Sequence, residues 1–253
     1  MQLSGKTCLL MLLCSLSVAA QQVPCQLSVR LESEQQSTAA GSHNDTRTSR
    51  QSYALLSALL AKSGCQVKLQ ALPAGRAVKM LEDGSLGVMV GMSETSERAR
   101  FSYFVGPHHI ERMVVVGLRE LQHSVADLYQ LLSWPGLISV AEGAYYGPKW
   151  QQLLQQQEGL QQRLFYASGN QQKLAMLASD RVVATLEDEA IIDELLQQND
   201  LAQRYVKLFV LHENPVYFAI SRQAISNDLY LQLQQDWQQM LQSGEVDNIK
   251  QNF

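Results

Sequence analysis

Short apolar runs alternate with longer amphipathic ones along most of this chain, and that alternation restricts the fold more than any other feature. Residues 26–32 read as a strand, and 51–62 as a helix with Tyr53, Leu55, Leu56, Leu59 and Leu60 mostly on one face, closed by Gly64. A strand at 66–71, a short helix at 75–82 stopped by Gly84 and a strand at 86–92 follow. Residues 112–118 form a continuous apolar strand, and 124–132 read as a helix with Ser124 as its N-cap. After Trp134-Pro135-Gly136 the series restarts: strand 137–141, helix 148–157, strand 164–167, helix 171–178, strand 182–186, helix 189–197. Strands at 206–210 and 216–221 and a long helix at 227–241 lead to the end. Strands that alternate with helices imply βαβ units around a parallel sheet, an α/β fold.

The second series is inserted into the first. The chain leaves the first unit near 105–111 and returns near 212–216. Two crossings imply a two-strand hinge and a cleft between lobes that close on a ligand. The expected division is lobe 1 from residues 21–107 and 214–253, and lobe 2 from 108–213, with the hinge crossings. Ligands in α/β sheets lie beyond the carboxyl ends of strands, which singles out Glu32, residues 91–95, residues 143–145, and Glu187 with Asp188.

Residues 1–20 carry one positively charged side chain, Lys6, then an apolar run, then Val18-Ala19-Ala20. This is the order of a secretory signal peptide, and the run is shorter than the ~20 residues of a membrane span. An exported, periplasmic protein beginning near Gln21 is expected. Removing the segment takes the formal net charge from −4 to −5, Lys6 being its one charged residue. A mildly acidic chain without a basic cluster argues against nucleic acid as a partner. Of four cysteines, Cys25 and Cys65 remain after removal, each just before a strand. One disulfide fits an oxidising compartment; two free buried thiols are the alternative. No Cys and His spacing suits a metal, and no cofactor is expected. His108-His109 has only Glu111 as a close acid and reads as a loop or hinge position.

The strand at 86–92 empties into Gly91-Met92-Ser93-Glu94-Thr95-Ser96-Glu97-Arg98. This is either a solvated loop, with Arg98 paired to Glu94 or Glu97, or an anion-binding mouth. Further on, Pro73-Ala74-Gly75-Arg76-Ala77 leads into Leu81-Glu82-Asp83-Gly84, an aromatic stretch precedes Gly106-Pro107, Gly143 follows a strand, and Glu187-Asp188-Glu189 follows another. With these anchors, and the tail around Gly244-Glu245 and Ile249, the chain resembles the amino-acid-type periplasmic solute-binding proteins (family 3), the receptors of ABC importers, over almost all of its mature length. The Ser-x-Thr-x-x-Arg element is the most specific of them.

The resemblance implies a two-lobe, type II periplasmic-binding-protein-like fold and a non-enzymatic, monomeric receptor for a small solute, an amino acid or related carboxylate, working with an ABC permease. Arg98 is implied as the carboxylate partner, because a guanidinium offers a bidentate fork, with Ser93, Gly91 and Thr95 around it. Asp188 is implied as the partner of the α-amino group; as a plain cap it closes the helix at 189–197, and both roles are compatible. Ala144 and Tyr145 stand in the second lobe's loop, where Tyr145 is a stacking surface or an ordinary surface or core residue. Glu32 reads a positive group or is solvated, and Arg76 faces the cleft or pairs with Glu82. The pattern also departs from the family: Glu32 is followed by Ser33 and Glu34 where a stacking aromatic is usual, Ala144 replaces a Ser or Thr, and Gly87 stands where an Asp is common. Two other functions are compatible with the fold. One is a ligand sensor for a membrane receptor. The other is an enzyme resembling cyclohexadienyl dehydratase, with Glu32 or Glu187 as general acid or base.

Overall fold

A computed structural model describes residues 25–31, 46–198 and 201–253. The signal-peptide segment and Glu32 lie outside these residues. Eight strands form one sheet in the order β2-β1-β3-β8-β4-β7-β5-β6. Its first half holds β1 (Cys25–Leu31), β2 (Cys65–Ala71) and β3 (Val88–Ser93), with β1 parallel to both neighbours. Its second half holds β5 (Ile138–Ala141), β6 (Leu164–Ala167) and β7 (Ala184–Asp188), again parallel. Between them run β4 (Ser102–Leu118) and β8 (Tyr205–Ser221), two antiparallel strands of 17 residues each.

These long strands belong to both halves, and they are the hinge. The expected strands at 206–210 and 216–221 are in fact one, because β8 stays paired with β4 through Arg112↔Glu213 and Glu111↔Asn214. The ladder is interrupted between Val105 and His109, around Gly106-Pro107, where the two halves meet. Interruptions of this kind bend a strand while leaving it continuous.

Helices cover both faces of each half. In the first half, α1 (Arg47–Lys62), α7 (Asn227–Gln242) and α8 (Glu245–Gln251) bury Leu55, Leu59, Leu233, Trp237 and Met240 against Val29, Val88 and Phe218. On its opposite face α2 (Ala74–Glu82) packs Ala77 and Leu81 on Met89, Met92 and Ala219. In the second half, α3 (Leu128–Ser133) and α4 (Pro148–Gln156) cover one face, and α5 (Asn170–Ala178) with α6 (Glu189–Gln198) cover the other. The fold is thus two α/β lobes sharing two strands.

Local chemistry accounts for the helix starts. Thr46 and Ser226 accept the N–H groups of Ser49 and Leu229, at the N-termini of α1 and α7. The helix expected from Ser124 starts later, because Asp127 is its N-cap: its carboxylate accepts the Gln130 N–H, while the Gln130 side chain accepts the Ala126 N–H. That reciprocal pair satisfies two end groups at once. Cys25 and Cys65 are register partners at the starts of β1 and β2, and a disulfide joins them.

Candidate functional site

The carboxyl ends of β1, β3, β5, β6 and β7 converge on the gap between the lobes, where they line a cavity of about 210 Å³. That is below the ~300–1,000 Å³ of pockets for drug-sized ligands, a scale for a small solute. Lobe 1 contributes Arg30, residues 89–93 and Arg98; lobe 2 contributes residues 141–146, 168–170, Lys173, Glu187 and Asp188. The hinge strand β4 adds His108, His109, Glu111 and Met113.

Arg98 begins a short 3-10 turn after β3, and the Thr95 hydroxyl accepts its backbone N–H at 3.2 Å. Its guanidinium donates to the Ser93 carbonyl at 2.8 Å in its own lobe and to the Gly143 carbonyl at 2.8 Å in the other. Burial lowers its pKa, and the nearby charge of Glu111 opposes that shift. The group is charged, poorly hydrated and bridged across the cleft, and among the described residues its guanidinium has N–H donors beyond those two bonds. Gly91 and Gly143 sit at strand ends with φ of 73° and 74°, a left-handed backbone that L side chains rarely adopt.

The remaining candidates fall into place one by one. Ser93 is buried in the cavity wall, and Thr95 caps the turn of Arg98 without lining the cavity. The Gly91 N–H donates to His108 Nε2 at 3.3 Å. Ala144 and Tyr145 line the cavity, with the Tyr145 ring edge-on to His212 at 5.5 Å. Tyr146 belongs to the core: its hydroxyl takes the Ala141 N–H at 2.7 Å and its ring packs on Trp150. Arg76 lies on the exposed side of α2, away from the cavity, and forms no ion pair with Glu82 among the described residues.

Asp188 ends β7 inside the cavity, yet its oxygens are engaged. One accepts the Ala190 N–H at 3.1 Å, capping α6, and the other lies 2.7 Å from His109 Nε2. Glu187 is paired with Lys173 at 2.7 Å, and both side chains are buried. Lys173 also donates to the Leu186 carbonyl, so the pair ties α5 to the end of β7. His108 is a neutral core imidazole, 4.3 Å from the Phe218 ring and stacked on it, its pKa driven down to about 3, first by burial and then by His109.

Sequence reasoning passed over Glu111, His109 as a cleft residue, and Lys173. The signal for Glu111 was a carboxylate inside a strand, between apolar Ile110 and Met113, close to a chain crossing. In the structure the Glu111 carboxyl is directed at the cavity with no hydrogen bond or ion pair among the described residues. Burial raises its pKa to about 8, and Asp188 and Glu187 reinforce the shift against Arg98 and Lys173. Among the described residues no group of three or more His, Cys, Asp or Glu is placed to hold a metal ion.

No family model matches the sequence, and no curated protein matches it. Solved structures do. An ancestral arginine-binding protein bound to glutamine superposes with a TM-score of 0.70 at 18% identity, over 91% of this chain and 98% of that one. An amino acid ABC transporter substrate-binding protein from Streptococcus pneumoniae, bound to L-arginine, gives 0.69 at 16% identity, over 90% and 93%. A histidine kinase sensor domain with similarity to periplasmic binding proteins gives 0.70 at 16% identity, over 90% and 95%. At such identities the likeness is one of fold, and the fold of this chain is that of the periplasmic binding proteins, two α/β lobes joined by a two-strand hinge.

Proposed function

We propose that this protein is an exported solute receptor that closes on a small carboxylate-bearing molecule, an amino acid or a relative of one, and presents it to an ABC importer. The observation that carries the reading is Arg98. A desolvated guanidinium with donors left after its bonds to Ser93 and Gly143 is a carboxylate site, and those bonds couple its position to the closing of the cleft. Of the two acids that the sequence offers for turnover, Glu187 is neutralised by Lys173 and Glu32 lies outside the described residues. One chain supplies both walls of the cavity, so the proposed site needs no second copy.

A thermal-shift screen of the mature protein against amino acids, small carboxylates and polyamines tests this. A solute at a hundred times its Kd stabilises by about 2.7 kcal/mol, roughly 5–10 °C for a chain of this size. The stabilisation is expected to disappear in Arg98→Ala. A hit that survives Arg98→Ala rules out the carboxylate role.

A further inference from the structure

Glu111 is the unexplained charge of the cleft. Among the described residues, two other carboxylates at the cavity have a partner and the third is solvated: Glu187 has Lys173 at 2.7 Å, Asp188 has His109 at 2.7 Å, and Glu142 is exposed at the rim. Glu111 has no hydrogen-bond or ion-pair partner of this kind among the described residues. It stands on β4, the hinge strand that both lobes share, and lines the cavity. The residue opposite it on β8, Asn214, brings no charge.

A ligand carboxylate held by Arg98 places the rest of the solute beside this acid, which faces the same cavity. We infer that Glu111, and not Asp188, is the acceptor for the solute's ammonium group, so that the solute is a zwitterion held between Arg98 and Glu111. The inference rests on the carboxylate role proposed for Arg98. An ammonium group is the partner that this position lacks: a compact cation that donates to a carboxylate without a hydrogen-bond partner among the described residues, in a poorly hydrated site.

Binding is then linked to a proton. The groups that face Glu111 among the described residues are Asp188 and Glu187 from β7, Arg98 from the turn after β3, Lys173 from α5, Tyr146 from the loop after β5, and His109 from its own strand. Burial and the two acids keep the free carboxyl protonated at neutral pH. The ammonium group requires the carboxylate, so the carboxyl O–H bond breaks, the proton leaves to solvent, and the cation of the solute takes its place. Near pH 7 capture of one zwitterion releases about one proton, and affinity rises about tenfold per pH unit until the free carboxyl ionises.

Isothermal titration of the mature protein decides the matter. The probes are the standard L-amino acids, each compared with its deaminated acid, in buffers of different ionisation enthalpy. The expected result is an amino acid that binds with release of about one proton, while its deaminated acid binds more weakly and without release. Glu111→Gln abolishes the release and weakens the amino acid about ten- to a hundredfold at pH 8, with an unchanged or raised melting temperature to show that it is folded. Asp188→Asn keeps the release. If release persists in Glu111→Gln, or vanishes only in Asp188→Asn, the inference is wrong while the Arg98 reading stands. If an acid binds as well as its amino acid in an Arg98-dependent way, the inference again fails alone. If no amino acid binds, both fail, whereas binding of deaminated acids lost in Arg98→Ala rescues the Arg98 reading only.

Discussion

Arg98 uses its shape twice, since one planar head reaches carbonyls in both lobes. A lysine keeps the charge but has a single nitrogen for both. Arg98→Lys is therefore expected to weaken solute binding at least tenfold, or about 1.4 kcal/mol, while the melting temperature of the unliganded protein moves little; calorimetry and thermal unfolding check both. Glu111 makes a separate prediction about the empty protein. Its folded pKa is about 8 against an ordinary 4.5. Between those values the folded state holds the proton and the unfolded state does not, so Glu111 makes stability fall as pH rises. The slope approaches about 1.4 kcal/mol per pH unit within the window and vanishes above it. Denaturant unfolding from pH 5 to 8 is expected to show this decline, and Glu111→Gln to flatten it. A decline of equal slope in the variant would assign it to other groups.

Two cross-links set the strength of individual elements. The Cys25–Cys65 bridge spans 40 residues of sequence, and constraint of a loop of that length is worth about 4 kcal/mol in the chain-entropy model. The Cys25→Ala/Cys65→Ala double variant is expected to melt roughly 10 °C lower. In the second lobe, Lys173→Met leaves the Glu187 carboxylate on β7 buried without its counter-charge. A loss of about 3–5 kcal/mol is expected, largely recovered on adding Glu187→Gln; chemical denaturation measures both. Most elements were legible in the sequence because their apolar residues repeat at the helical or strand period, as in 51–62 and 164–167. The continuity of β4 and β8 was not. Their middle residues, His109 to Arg112 and His212 to Pro215, leave the lobe cores at the hinge and lose the apolar pattern that marks a strand. For the same reason Glu111 was passed over, whereas the place of Arg98 at the cavity was legible because the residues around it are close in sequence.

Closure of the whole molecule brings acidic groups of lobe 2 onto helix starts of lobe 1. The Glu194 carboxylate accepts the N–H of Arg47, the first residue of α1, at 2.7 Å, and Glu142 rests on the first turn of α2. Both contacts cross the cleft, so opening of the lobes would separate them, and each favours closure by about 0.3–1 kcal/mol when exposed. Glu194→Ala is expected to weaken solute binding about two- to fivefold, with a larger radius of gyration in solution scattering and no change in lobe stability; equal scattering would dismiss the latch. The shared strands carry a further consequence for how the chain comes into being. Lobe 2 is one uninterrupted stretch, but the core of lobe 1 needs Phe218, Leu233, Trp237 and Met240 from the carboxyl-terminal end. During synthesis lobe 2 can therefore condense while lobe 1 still lacks a strand and two helices. The last segment to emerge completes the first lobe, and with it the cleft, so a chain arrested before that point carries a finished half and no binding site.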